Sequence, residues 1–381
     1  MNHIMDTLAA RELANELRKQ NIDIWDAGLG QNNMLPPADL TQLLKKYAHK
    51  KEYTSLHGVD GLSHALARYN APWDTFVFGN GVKELLFIAQ MAFHGTIIHI
   101  TPSWVSYYKQ MALFGKVPFE IHTTFESNWK VLPGQLEDCF DNIVGPKMLL
   151  FNNPNNPTGV AYTADETAII GKLCKKYDVL VLSDEIYSNL VFDDSFVSIG
   201  VHTKSVRASS LSKDIGCGGY KLGWLAFTPD SFDFMQSIKK FATSIYSAPS
   251  APIQYAFRDF LMLGSVYGAY CMKTRLLYAE KCSYVCKELS KTKLLFVPSQ
   301  SAWYIFVSFR NYISCLSRLN IVDSITLSNY LANSLNIITV PGASFRCFDE
   351  MAVRFSIVDF DGYIAGCDRL IRWLETLKNL N

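Results

Sequence analysis

Val179-Leu180-Val181-Leu182-Ser183-Asp184 is an apolar run that ends on a carboxylate. Without polar alternation, such a run reads as a strand covered on both faces, the habit of parallel sheets. We place this strand at Asp178–Ser183, and matching runs lie at Thr75–Phe78, Thr96–Thr101, Pro118–His122, Lys147–Phe151, Val206–Leu211 and Gly223–Thr228. Helical patterns such as Val82–His94 and Ala164–Lys176 fall between them. The alternation predicts an α/β fold: a large domain whose mostly parallel seven-stranded sheet is sandwiched by helices. After residue 230 the pattern turns to long helices, Phe232–Thr243 and Ser250–Ser290. Strands follow near Leu294–Val297, Trp303–Ser308, Ile337–Val340 and Val353–Ile357. Together with the N-terminal stretch these predict a smaller α+β domain, with parts at 1–45 and 276–381 flanking a large domain at 46–275.

Composition narrows the function. The 381 residues, 49% of them hydrophobic, suffice for two cores. A formal net charge of +1 gives no pull toward nucleic acid or acidic membranes. The nine cysteines are scattered, without a C-x-x-C pair or a His/Cys cluster, which argues against a disulfide framework or a metal site and for a reducing cytoplasm. The first twenty residues lack the apolar centre of a secretory signal, and no apolar run is long enough to span a membrane.

In open parallel sheets, ligands bind beyond the carboxyl ends of the strands. Trp104, Asn156, Asp184 and Lys213 each sit at or just past such an end. The segment Ser209-Ser210-Leu211-Ser212-Lys213-Asp214-Ile215-Gly216-Cys217-Gly218-Gly219-Tyr220-Lys221-Leu222-Gly223-Trp224 closes a strand with a lysine and carries a second cation on a glycine-rich turn. That suits a lysine forming an imine with an aldehyde cofactor while its neighbours hold a phosphate. Asn152-Asn153-Pro154-Asn155-Asn156-Pro157-Thr158-Gly159 is a proline-locked turn. Asp184, a carboxylate at a buried strand end, needs a partner. Gly79-Asn80-Gly81-Val82-Lys83 opens a helix, where the amides of Val82 and Lys83 can bind an anion.

N-P-T-G at 156–159, S-D-E-x-Y at 183–187 and the lysine segment, in that order, resemble the pyridoxal-phosphate-dependent aminotransferases of fold type I, the class I/II family. The resemblance covers nearly the whole chain. It implies pyridoxal 5'-phosphate as cofactor and transfer of an amino group from an L-amino acid to a 2-oxo acid by a ping-pong route. Lys213 would carry the cofactor and shuttle the substrate proton, with Asp184 at the pyridine nitrogen and Asn156 and Tyr187 at the phenolic oxygen. Trp104 would stack on the ring, and Ser210 and Lys221 would hold the phosphate. Tyr53 would reach the phosphate of a second copy, implying a homodimer with shared sites. Arg354, in Val353-Arg354-Phe355-Ser356, would grip the substrate carboxylate, with Gly30 letting backbone approach it. Three departures stand out: Lys221 replaces the usual arginine, Lys83 a small hydroxyl residue, and Gln31-Asn32-Asn33 the usual Glu-Pro-Asp. Arg275 and Arg346 are candidates for a second carboxylate. A lyase or cyclase acting on an amino acid on the same scaffold is the alternative.

Overall fold

The structure, a computed structural model, describes residues 7–70 and 72–378; the outermost residues of the expected 1–45 and 276–381 parts lie outside it. All seven expected strands of the large sheet form, at Phe76–Gly79, Thr96–Thr101, Phe119–His122, Lys147–Asn152, Val179–Asp184, Ser205–Ser210 and Gly223–Phe227. Across the sheet the order runs Phe76–Gly79, Gly223–Phe227, Ser205–Ser210, Val179–Asp184, Lys147–Asn152, Thr96–Thr101, Phe119–His122. Gly223–Phe227 runs against the other six strands, antiparallel to Phe76–Gly79 and to Ser205–Ser210.

Alternate side chains of the central strand serve two different cores. Leu180 and Leu182 pack with Leu85, Leu86 and Ile238, whereas Val179 and Val181 pack with Leu136, Ile170 and Cys174. Each set faces a helical layer, which is why the run needs no polar residues until its end.

A four-stranded antiparallel sheet forms from Val340–Pro341, Ala352–Ser356, Tyr304–Ser308 and Leu295–Phe296. Near it, Trp25–Asp26 pairs in parallel with Ile337–Ile338, so the two ends of the chain share one core. Two expectations are corrected. The strand expected at Ile337–Val340 is split, because the chain changes partners at Thr339, whose carbonyl and hydroxyl oxygens are held by the Ser328 hydroxyl at 3.1 and 3.0 Å. The helix expected at Ser250–Ser290 is two helices, Ala251–Leu261 and Ser265–Leu289. Gly264 breaks it at φ 68°, ψ −116°, backbone that a side chain resists.

A buried ion pair ties two central strands just behind their functional ends. Arg207 Nε lies 2.5 Å from Glu185 Oε2, with only 9% and 1% of the two side chains exposed. Arg207 also donates to Asn70 Oδ1 at 2.6 Å and to the Ser188 hydroxyl at 3.1 Å, while Ser183 and Ser198 donate to Glu185. Removing one member strands the other charge in low dielectric. Arg207→Ala should therefore lower unfolding stability by about 3–5 kcal/mol in urea titration, and a loss below about 1 kcal/mol would show the pair to be dispensable.

Candidate functional site

At the carboxyl ends of the parallel strands, Asp184 is held from two sides. The Tyr107 hydroxyl donates to its Oδ2 at 2.6 Å and the Ile186 amide to Oδ1 at 3.3 Å. Burial pushes this carboxyl from the ordinary 3.8 up to about 6, against the opposing pull of Tyr107, the Ile186 amide and the Lys213 charge. Burial and that carboxylate together hold the Tyr107 hydroxyl well above its ordinary 10, so it stays a donor. The Asn152 side chain and the Asn153 amide both donate to the Asp184 carbonyl, at 2.9 and 3.1 Å, docking the proline-locked turn onto the strand end.

Trp104 is half-buried, edge-on to Tyr107 with ring centres 5.3 Å apart. The Lys83 ammonium stands 5.2 Å from the Trp104 ring centre. Lys213 reaches across from its own loop, and its ammonium donates to the Gly30 carbonyl. It lies 5.8 Å from the ring centres of Tyr187 and Trp303. The loop is fixed by Asn32, which donates to the Lys213 carbonyl at 2.8 Å, and by buried Asp214, which accepts from Tyr267 and Asn189 at 2.7 and 2.9 Å.

The expected phosphate residues converge. Ser210, fully buried, pairs in register with Gly223. A Cβ on Gly223 would stand 2.8 Å from Gly81 Cα and from the Val82 amide nitrogen, so the strand abuts the start of helix Val82–Ala92. The cap residue Gly81, at φ 118°, brings no side chain to those first amides. Lys221 Nζ lies 3.7 Å from the position a Cβ on Gly81 would occupy. Lys221 itself adopts φ 57°, ψ 58°, which turns the chain beside the helix start. A hydroxyl, helix-start amides and an ammonium around space kept open by two glycines form a cradle for a dianion.

Arg354, 1% exposed, lies between the Tyr304 and Phe345 rings at 4.6 and 5.1 Å. It donates to Asn156 Oδ1 at 2.9 Å and to the Gly28 carbonyl at 2.6 Å. Among the described residues no carboxylate pairs with it, and its Nε has no hydrogen-bond partner. Burial accordingly pulls the guanidinium pKa below its ordinary value. A buried cation with an orphaned donor edge fits a carboxylate ligand.

Other expected residues stand differently. Tyr53 is 94% exposed on the single chain. Arg346 is engaged by Glu120 through two contacts of 2.5 and 2.8 Å, and Arg275 by Asp194. The space at Gly30 is filled by the Tyr304 hydroxyl, which would stand 2.2 Å from a Cβ there. Sequence reading passed over Tyr107 and the holding role of Asn32. Tyr107 carried one faint signal, its place one helical turn after Trp104.

The family model for aminotransferase class I and II matches residues 27–370. Asparagine–oxo-acid transaminase of Streptococcus mutans is 27% identical over 92% of this chain and 91% of its own. Aspartate aminotransferase of Thermotoga maritima is 28% identical over 90% of this chain and 89% of its own. The Thermotoga maritima aspartate aminotransferase crystal structure superposes with a TM-score of 0.84 at 26% identity, covering 98% of this chain and 97% of that one. A Thermus thermophilus aspartate aminotransferase with maleate shares the fold at a TM-score of 0.85 and 21% identity, over 97% and 96% of the two chains. A family match over residues 27–370 and relatives aligned along nearly the whole chain lead to one conclusion: this chain belongs to the class I and II aminotransferases, pyridoxal-phosphate-dependent enzymes that move an amino group between an amino acid and a 2-oxo acid.

Proposed function

We propose that Lys213 is the residue that carries pyridoxal 5'-phosphate, and that Asp184, Asn156, Tyr187 and Arg354 complete the transfer site. The observation that carries this reading is the Arg354 guanidinium, buried with no carboxylate among the described residues and bonded to Asn156. The dianion cradle supports the fit of the cofactor, since Ser210, Lys221 and the Val82 and Lys83 amides would hold its phosphate. When bound, the cofactor supplies an aldehyde for the amino group and a protonated ring that draws electrons from the substrate's α-carbon.

Asp184 holds a proton at the ring nitrogen, its carboxylate oriented by Tyr107. Trp104 would cover the cofactor ring. Asn156, whose carbonyl accepts from Arg354, would hold the phenolic oxygen through its amide, together with the Tyr187 hydroxyl. Arg354 orients the substrate by its carboxylate, a planar pairing that suits guanidinium. Gly30 leaves the backbone close to that carboxylate. Lys213 Nζ then moves the proton to and from the α-carbon as general acid and base.

Tyr53, exposed on the single chain, reaches the phosphate of a second copy in a homodimer. All nine cysteines are free thiols, which suits a cytoplasmic setting. Among the described residues no helix is long and apolar enough to cross a membrane. We place the domain parts at 1–45, 46–275 and 276–381, a division supported by the pairing of Trp25–Asp26 with Ile337–Ile338. Relatives named for aspartate and asparagine make those amino acids the first donors to assay. A lyase or cyclase is not favoured, because these relatives are named as transaminases and aminotransferases.

The deciding experiment adds amino acids singly to cofactor-loaded protein and follows the visible absorption. Loss of the band with a donor and its return with a 2-oxo acid supports transfer, whereas ammonia release would support elimination. Lys213→Ala should abolish turnover while near-UV circular dichroism stays native, and residual transfer above about one part in a thousand would sink its assignment. Arg354→Ala should raise KM for amino and oxo acids at least about 30-fold while phosphate and cofactor affinity hold. Equal losses for an amine lacking a carboxylate would remove Arg354 from the substrate site.

The cofactor-free protein carries a pH signature of Asp184. Its folded pKa, about 6, lies above the ordinary 3.8, so the folded state binds more protons in that interval. Stability from this group is present below about pH 4 and is lost as pH rises through 6, on the order of 3 kcal/mol in all. Urea titrations of cofactor-free Asp184→Asn should lack that decline, and a decline equal to that of the unsubstituted protein would assign it elsewhere.

A further inference from the structure

Tyr304 touches three parts of the site at once. Its hydroxyl lies 2.9 Å from the Tyr187 hydroxyl. Its ring stands 4.6 Å from the Arg354 guanidinium carbon. Its oxygen also fills the gap above Gly30, whose carbonyl accepts from Lys213. The tyrosine is itself rigidly held: 1% exposed, paired with Ser356 in the antiparallel sheet, and edge-on to Tyr187 at 5.6 Å.

We propose that Tyr304 is a positioning residue for amino transfer with two separable parts, its hydroxyl acting through Tyr187 and its ring acting through Arg354. The inference rests on the reading that Tyr187 donates to the cofactor's phenolic oxygen. Tyr187 has one proton to give. Once that proton is committed, its oxygen becomes an acceptor, and the hydroxyl 2.9 Å away is that of Tyr304. A hydroxyl that receives a hydrogen bond donates a stronger one. Tyr304 thereby strengthens the donation to the phenolic oxygen and lowers the pH at which the bound cofactor's visible band deprotonates. Asp184, Lys213 and Arg354 are the charged groups around this pair, and the tyrosine substitutions below leave all three in place. The ring has a different task. With its centre 4.6 Å from the guanidinium carbon, it holds the position of the guanidinium, whose buried Nε has no hydrogen-bond partner among the described residues.

The test is a pH titration of visible absorption on the cofactor-loaded enzyme, with KM for a 2-oxo acid measured alongside. Tyr304→Phe keeps the ring and should raise the band's midpoint by about half to one pH unit, with KM changed less than about two-fold. Tyr304→Leu should raise the midpoint and also raise KM at least about five-fold. In a Tyr187→Phe background, Tyr304→Phe should move the midpoint no further, as expected if it acts only through that hydroxyl. Gly30→Ala is an independent probe, because its methyl displaces the Tyr304 hydroxyl without deleting it, and it should shift the midpoint the same way. Midpoints unmoved in Tyr304→Phe and Gly30→Ala, or a full Tyr304→Phe shift persisting in Tyr187→Phe, would overturn the proposal and leave the proposed transfer site standing. An unsubstituted protein that shows no titrating band would overturn both.

Discussion

A guanidinium buried without a counter-ion among the described residues organises this molecule. Desolvating a cation is expensive, and Arg354 recovers part of that through two neutral oxygens and two ring faces. Those partners come from distant parts of the chain: Gly28 near the N-terminus, Asn156 on the large-sheet turn, and Tyr304 and Phe345 from the C-terminal third. The segments meet because each satisfies part of one buried charge. What it lacks among the described residues is an anion, the role given above to a substrate carboxylate by proposal.

The opposite pole is Asp184. Its carboxyl sits at the end of a strand whose other side chains are all apolar or small, so only local donors can steady its charge. Tyr107 and the Ile186 amide do so incompletely, which is why its pKa remains high. A protonated ring nitrogen would complete the set. The site thus holds an unmet negative demand at Asp184 and an unmet positive one at Arg354, with Lys213 between rings near the centre. On the proposed reading, a cofactor and a substrate of opposite local charge would satisfy both together.

Much of this was legible in the chain, for a specific reason. Parallel strands buried on both faces leave unbroken apolar runs, and the chemistry sits where each run stops. Lys213, Asp184 and Asn156 could be read from that punctuation, and the large sheet formed with the expected strands to within a residue or two. Less legible was anything set by contact across sequence. Asn32 fixes Lys213 from 181 positions away, and Tyr107 reaches Asp184 across 77. Arg346, open as a candidate for a second carboxylate, is engaged by Glu120 of the edge strand Phe119–His122, a pairing between residues 226 positions apart.

By itself, the sequence determined the strand count, the residue types at each strand end, and the glycines at the start of helix Val82–Ala92, because burial pattern and backbone freedom are local properties. Tertiary structure alone decided that Arg354 meets no carboxylate among the described residues while Arg346 meets Glu120, that Gly30 makes room for the Tyr304 hydroxyl, and that the long C-terminal helical stretch is broken at Gly264. The reason is physical. Pairing of charges and filling of space depend on which surfaces the fold brings within a few ångströms, and no local pattern records that distance.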